Sequence, residues 1–234
     1  MSKLMRRTIP SGALARLSYP RAGEPLPAAL PPGERTIGQL VAESIRLYGQ
    51  RFWKIIPLGL VFVGVDLASL GRSVSVQTLV LWAFGPLFAA AYVRASAIAL
   101  PGRPSRRAFV NAFLVALIVF VPFPVLVRLY ILPGIAFFAL IGLGVPAALV
   151  EGLGVRAGLR RGLQLGRADA VHAVAGLATL SLVFGVIRYA LLVLLHTQGN
   201  QTQDVAAVLS DLVLSPLLFI GSALLYVDQA ARVK

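Results

Sequence analysis

The sequence contains no cysteine, and only 13% of its 234 residues are charged. The absence of cysteine excludes disulfide bonds, thiolate metal sites and thiol catalysis. The low charge accompanies 58% hydrophobic residues and a mean hydropathy of +0.82, which is more apolar surface than a soluble domain of this length needs for its core. We therefore expect an integral membrane protein.

Motifs that carry enzymatic chemistry are also missing from the sequence. It has no glycine-rich phosphate loop with a lysine, no serine-centred nucleophile elbow and no paired acidic motif. The two histidines, His172 and His196, fall at opposite ends of one predicted helix, about 36 Å apart by helical rise, so they cannot share a metal. We expect no enzymatic activity, no metal and no cofactor.

Long apolar runs fill most of the chain. A transmembrane helix needs about 20 mostly apolar residues. Six runs meet this requirement: 53–70, 76–100, 108–127, 132–150, 171–196 and 205–228. They predict an all-α fold, a polytopic membrane protein of six transmembrane helices with interfacial amphipathic elbow helices, in one domain over 35–234. Prolines inside several runs suggest kinks or broken helices.

Most of the 22 basic residues fall in segments that share one side of the membrane when the N-terminus is cytoplasmic. The positive-inside rule then predicts that both termini lie in the cytoplasm. The net charge of +13 therefore indicates topology rather than nucleic-acid binding. Residues 1–34 are basic and proline-rich and predict a disordered cytoplasmic tail, either an unstructured leader or an arm that binds anionic lipid or a partner.

The stretch "VEGLGVRAGLRRGLQLGR", residues 150–167, is too short and too charged to span a bilayer. As a helix it would lie at the cytoplasmic interface, with its arginines toward the phosphates of an anionic inner leaflet: Arg156, Arg160, Arg161 and Arg167. Its glycines recur every four residues: Gly154, Gly158, Gly162 and Gly166. Such a row suits close helix packing, so the segment is either a docking ridge against spans or a partner subunit, or a plain surface elbow with incidental glycines.

A similar elbow is predicted earlier, in "TIGQLVAESIRLYGQRFWKIIPL", where Thr36 and Gln39 can form a capping box. A shift of 118 residues superposes Ile37 on Val155 and carries the apolar positions of one elbow onto those of the other. A shorter basic version, "GRPSRRAFVNAF", precedes the third span. The pattern suggests three parallel units, each an elbow followed by two spans.

These elbows, together with "ILPGIAFFALIGLGVPAALVEGLGVRAGLRRGLQL", resemble the membrane domain found beside glycerophosphodiester phosphodiesterases and in related bacterial integral membrane proteins. The resemblance covers most of residues 36–190. The chain departs from that pattern with Gly162 where a serine is usual, and the given sequence holds no phosphodiesterase domain. The resemblance therefore implies a six-helix fold in a bacterial cytoplasmic membrane without implying hydrolysis.

Ionisable residues inside the predicted spans are the best site candidates, because each costs at least about 2.5 kcal/mol to insert. They form two sets, which are Arg188, Asp211, Asp66 and Arg128 toward the outer side, and Arg94 and Glu151 toward the cytoplasm. Arg188 and Asp211 match in depth and are expected to pair, and Arg94 and Glu151 match in the same way. Either set is a hydrophilic cavity for a lipid headgroup or small anion, or a group of ion pairs that hold helices in register.

The sequence thus predicts a non-catalytic, lipid-contacting scaffold or partner subunit, with the lipid bilayer and a partner protein or second copy as its contacts. The alternative is a transporter or lipid-translocating protein that uses the outer charge cluster for a small anionic solute or lipid headgroup.

Overall fold

The computed structural model describes residues 31–233. The described chain is helical, with no strand in that range. Its helices are α1 (Ile37–Gln50), α2 (Phe52–Ile55), α3 (Leu60–Ser69), α4 (Val74–Ala83), α5 (Gly85–Ala99), α6 (Arg106–Phe120), α7 (Phe123–Leu129), α8 (Ile131–Ile141), α9 (Gly144–Val150), α10 (Val155–Ala168), α11 (Ala170–Leu194) and α12 (Asn200–Arg232). A 3-10 turn at Ile56–Gly59 joins α2 to α3.

Five stretches of the described chain are long and apolar enough to cross a bilayer: Phe52–Ser69, Arg106–Arg128, Ile131–Val150, Ala170–Leu194 and Gln201–Arg232. Helices α4 and α5 make a sixth when they are counted together, with a bend of 48° between them. In chain order these are spans one to six, and they overlap the six predicted runs. The protein is an all-α, polytopic membrane protein.

Two ends of the bundle are defined by the connections between spans. The basic end holds residues 31–36, 100–105, 151–154 and 169, and the polar end holds residues 70–73 and 195–199. At the basic end, a Cβ built on Gly33 would lie 3.2 Å from Ala231 Cβ. Residues 31–34 form a turn there. The prediction of a disordered tail over residues 1–34 is therefore wrong for these four residues. The rest of that tail, residues 1–30, lies outside the described residues.

Prolines break some spans and leave others intact. The 3-10 turn of span one contains Pro57, and α5 begins beside Pro86. Span three breaks between α6 and α7 at Pro122. Each of these prolines lies at a helix start, where its missing N–H is not needed.

Pro216 lies inside α12, which continues through it. Because proline has no N–H, the carbonyl of Leu212, four residues earlier, lacks its usual helical partner. Gly59 of span one packs its backbone against this carbonyl: a Cβ at position 59 would lie 2.9 Å from Leu212 Cα and closer still to the oxygen. Spans one and six therefore meet backbone to backbone, and only glycine fits there.

The most enclosed part of the bundle is α9. Its residues from Gly144 to Leu149 are all buried, and α9 packs against α5, α6, α10 and α12. Large apolar side chains on the outer faces of the spans are exposed instead, among them Leu60, Leu79, Leu114 and Leu182. Exposed leucines of this kind are expected where a helix faces lipid.

Helix α1 begins as the sequence predicts. The Thr36 side chain accepts a hydrogen bond from the Gln39 N–H at 3.3 Å, and the Thr36 N–H donates to Gln39 Oε1 at 2.9 Å. The helix ends at Arg51, whose guanidinium donates to the Ile98 carbonyl at the end of span two. The capping box closes the first turn of α1, and the Arg51 contact holds its other end against span two.

The 118-residue repeat holds in the structure for two of the three proposed elbows. Helices α1 and α10 begin and end at positions that differ by 118. The same shift superposes the three buried positions of α1, which are Leu40, Ser44 and Tyr48, on the three buried glycines of α10, which are Gly158, Gly162 and Gly166. Burial raises the pKa of the Tyr48 hydroxyl.

The two helices use opposite means to pack closely. Helix α1 places Leu40 against Gly176 of α11 and Ser44 against Gly221 of α12, so the small residues belong to the spans. In α10 the elbow helix itself supplies the small residues, its buried glycines, and packs them against span four. The third proposed elbow, "GRPSRRAFVNAF", is not separate: from Arg106 it is the first part of α6, which Ser105 caps and which continues into span three.

Candidate functional site

An arginine and two aspartates from three different spans meet toward the polar end of the bundle. Arg188 Nη1 of span five lies 2.7 Å from Oδ1 and 2.5 Å from Oδ2 of Asp211 in span six. Arg188 Nη2 lies 3.2 Å from Asp66 Oδ2 in span one. The predicted pairing of Arg188 with Asp211 is confirmed, and Asp66 joins it as expected.

Exposure differs among the three groups. The Asp211 side chain is 1% exposed, whereas those of Arg188 and Asp66 are 32% and 26% exposed. Asp211 is thus the buried anchor of the triad. Arg188 and Asp66 both remain partly accessible, and both line the cavity described next.

The triad lies at the wall of a partly open cavity of about 340 Å³. Seven phenylalanines supply much of the lining: Phe62, Phe88, Phe120, Phe123, Phe138, Phe184 and Phe219. The only charged side chains in this lining are Asp66, Asp211 and Arg188. A concave apolar site with a few convergent polar groups is the usual form of a small-molecule site.

The phenylalanines are packed into a continuous aromatic wall. The ring centroids of Phe62 and Phe88 are 5.0 Å apart, and those of Phe88 and Phe120 are 5.7 Å apart. The Phe62 ring also lies 5.8 Å from that of Phe219. Spacings of this size are typical of favourable aromatic pairs. The wall therefore fixes the shape of the apolar part of the cavity.

Arg128 does not join the triad, contrary to expectation. It lies in α7, which follows the break in span three, and its side chain is exposed. It is not among the residues that line the cavity. Because the break separates α7 from α6, matching depth along the chain did not place Arg128 near Asp66.

The predicted pairing of Arg94 with Glu151 is also wrong. Glu151 Oε1 accepts instead from Arg161 Nε at 3.2 Å and from the Tyr226 hydroxyl at 3.0 Å. The chain turns at Gly152, where φ is +66°, so that α10 brings Arg161 back to Glu151. Arg94 is exposed.

The glycine row of α10 is a docking ridge within the chain. A Cβ on Gly162 would lie 2.6 Å from Gly144 Cα, and one on Gly166 would lie 2.6 Å from Leu140 Cα. Gly158 is also tight, at 3.0 Å from Ala148 Cβ. These contacts are with span four, which supports the docking interpretation over incidental glycines.

Gly154 does not belong to this ridge. It precedes the first turn of α10 as the N-cap, and a Cβ there would meet no heavy atom within 4 Å. The four arginines of α10 also differ in their exposure. Arg156, Arg160 and Arg167 are exposed, whereas Arg161 is partly buried and pairs with Glu151.

A second charged cluster, at the basic end, was missed by the sequence analysis. The buried Asp228 accepts from Arg35 Nη1 at 3.2 Å, and Arg232 Nη1 donates to Asp169 Oδ2 at 2.6 Å. Gln229 Nε2 donates to the Asp169 carbonyl at 3.3 Å. Asp228 and Arg232 are one turn apart in α12, a spacing that marks a charged pair on one helix but does not indicate Arg35 or Asp169 as the partners. The cluster ties the start of the described chain to α11 and α12.

Within residues 31–233, no three His, Asp or Glu side chains are grouped so that they could hold a metal ion. Searches of protein-family models, curated proteins and solved structures found no match to this chain.

Proposed function

We propose that the protein binds an amphiphilic molecule, such as a lipid, within the membrane and does so without catalysis. The observation that carries this proposal is the cavity, which combines an aromatic wall with one charged group of three residues. An apolar tail fits the wall, and a polar head fits the triad. The same cavity would also serve the lipid-translocating alternative, because a partly open site can accept and release its occupant.

We further propose that the membrane is a bacterial cytoplasmic membrane and that the basic end faces the cytoplasm. The exposed arginines of α10 support this orientation, because arginines near an anionic leaflet each contribute about 1 kcal/mol. The resemblance to membrane domains found beside glycerophosphodiester phosphodiesterases supports the same location.

A second candidate function is that of a scaffold or partner subunit. It is favoured by the exposure of Arg156, Arg160 and Arg167 on one helix whose other face is already docked. A basic surface of this kind can contact acidic headgroups or an acidic partner protein.

The experiment that tests amphiphile binding compares a filled cavity with an open one. Ser181 lines the cavity on span five, and Ser181→Phe would occupy part of its volume. The neighbouring Leu182 is 65% exposed on the outside of the same helix, so Leu182→Phe is a matched control. Native mass spectrometry of protein extracted in mild detergent then measures the bound lipid.

We expect the wild type and Leu182→Phe to retain a bound lipid that Ser181→Phe lacks. Leu81→Trp fills the cavity from span two and should have the same effect. Elution of each variant as a folded monodisperse species is checked by gel filtration. Equal lipid retention in all four proteins would contradict the proposal.

A further inference from the structure

The charged wall of the cavity contains two acids and one base. Asp66 and Asp211 each bind the Arg188 guanidinium, and the rest of the lining carries no ionisable group that is charged at neutral pH. When both carboxylates are ionised, the wall carries one more negative charge than positive. A surplus charge in an apolar surrounding is costly unless a positive charge compensates it.

The hydrogen-bonding capacity of Arg188 is directed toward the two acids. Its Nη1 donates to both oxygens of Asp211, and its Nη2 donates to Asp66. An anionic headgroup at Arg188 would have to compete with two carboxylates. A cation would meet the accessible carboxylate of Asp66 without displacing either contact.

Aromatic rings lie one turn from two of the charged residues, on two of the spans. Phe62 lies one turn before Asp66 in span one, Phe184 lies one turn before Arg188 in span five, and both rings line the cavity. The Phe62 and Phe184 centroids are 6.5 Å apart. Ring faces attract organic cations as well as apolar chains.

We propose that the cavity selects an organic cation with an apolar tail, with its ammonium group at Asp66 and its tail along the phenylalanine wall. This inference rests on the proposed function, since it names the charge class of the amphiphile. It differs from the anionic solute or headgroup that the sequence pattern suggested. The surplus carboxylate is the reason for the difference.

Three probes with the same apolar chain test the inference: octylammonium, octanoate and octan-1-ol. Each is titrated at neutral pH against the full-length protein in nanodiscs of an uncharged glycosyl diacylglycerol, whose headgroup carries no ammonium group, and binding to empty nanodiscs is subtracted. We expect octylammonium to bind about tenfold more tightly than the other two, from an ion pair together with cation–aromatic contact.

Asp66→Asn should remove most of this preference while leaving the pair of Arg188 with Asp211. Asp66→Glu, which keeps the charge, should restore it. Asp204 is an exposed acid near the start of α12 and does not line the cavity, so Asp204→Asn should behave as the wild type.

Equal binding of the three probes would overturn the charge selection and leave amphiphile binding intact; this is the result expected if a proton already neutralises the triad. Octylammonium binding that is unchanged in Asp66→Asn would also overturn it. If none of the probes binds above the empty-nanodisc level, both this inference and the proposed function are wrong.

Discussion

Arg188 contacts both carboxylate oxygens of Asp211 through a single guanidinium nitrogen, Nη1, at 2.7 and 2.5 Å. The contact joins span five to span six, and the Asp211 side chain at its centre is almost fully buried. A close, charge-assisted contact of this kind holds two helices in register.

Asp211→Asn should lower the free energy of unfolding by about 2 kcal/mol, because a buried charged partner is lost while Arg188 keeps only Asp66. For a chain of this size the melting temperature should fall by about 4–8 °C. Thermal unfolding in mild detergent, followed by circular dichroism, measures the change.

The loss in the double variant Arg188→Gln with Asp211→Asn should be smaller than the sum of the losses in the two single variants, because both single variants remove the same contact. A double variant whose losses simply add would show that the two residues do not stabilise each other.

Gly162→Ala should destabilise the protein by about 1–3 kcal/mol, because the new methyl group would overlap Gly144 and the Ile141 carbonyl. Gly185→Ala is the matched control, since a Cβ there meets nothing within 4 Å and alanine favours the helix. The melting temperatures of the two variants are compared in the same detergent. A Gly162→Ala protein as stable as Gly185→Ala would show that the ridge is not closely packed.

Asp169 has two tasks that substitutions can separate. Its Oδ1 accepts from the His172 N–H at 3.0 Å and caps α11, and its Oδ2 accepts from Arg232. Asp169→Asn should keep the cap and lose about 0.5 kcal/mol from a partly exposed ion pair. Asp169→Ala should also lose the cap, which contributes about 1 kcal/mol more. Equal melting temperatures for the two variants would argue against a contribution from the cap.

The lack of native cysteine makes topology directly measurable. Single cysteines at Ser73 and Gln198 should react with a membrane-impermeant maleimide in intact cells, because both positions lie at the polar end. Cysteines at Arg103 and Gln164 should react only after the membrane is opened, if the basic end is cytoplasmic. Labelling of the Gln164 position in intact cells would invert the proposed orientation.

Hydropathy was sufficient to predict the spans, because a helix that crosses a bilayer must be apolar along its whole length. Comparing the depths of residues in the membrane was sufficient to predict the pair of Arg188 with Asp211, since the two residues lie on adjacent helices. It failed for Arg94 and Glu151, because depth does not specify which way a side chain points around its helix. The cavity could not be predicted, since its volume depends on how phenylalanines from several helices pack together.

The repeat shows the same limit. The apolar pattern of the sequence repeats after 118 residues. In the structure, the residues that are buried in α1 and the glycines that are buried in α10 lie at equivalent positions of the repeat. For the short basic stretch from Arg106, the missing break residue was the available sign that it continues directly into span three and is not a separate elbow.

The approach of Gly59 to the Leu212 carbonyl also limits how the protein can move. Because the two backbones are in direct contact, the two helices cannot slide or rotate against each other at this point. We therefore expect spans one and six to move together as a rigid pair. Any rearrangement that admits or releases a guest molecule therefore has to take place at other helix boundaries. Spans two and three, which already bend between α4 and α5 and break at Pro122, are the natural hinges.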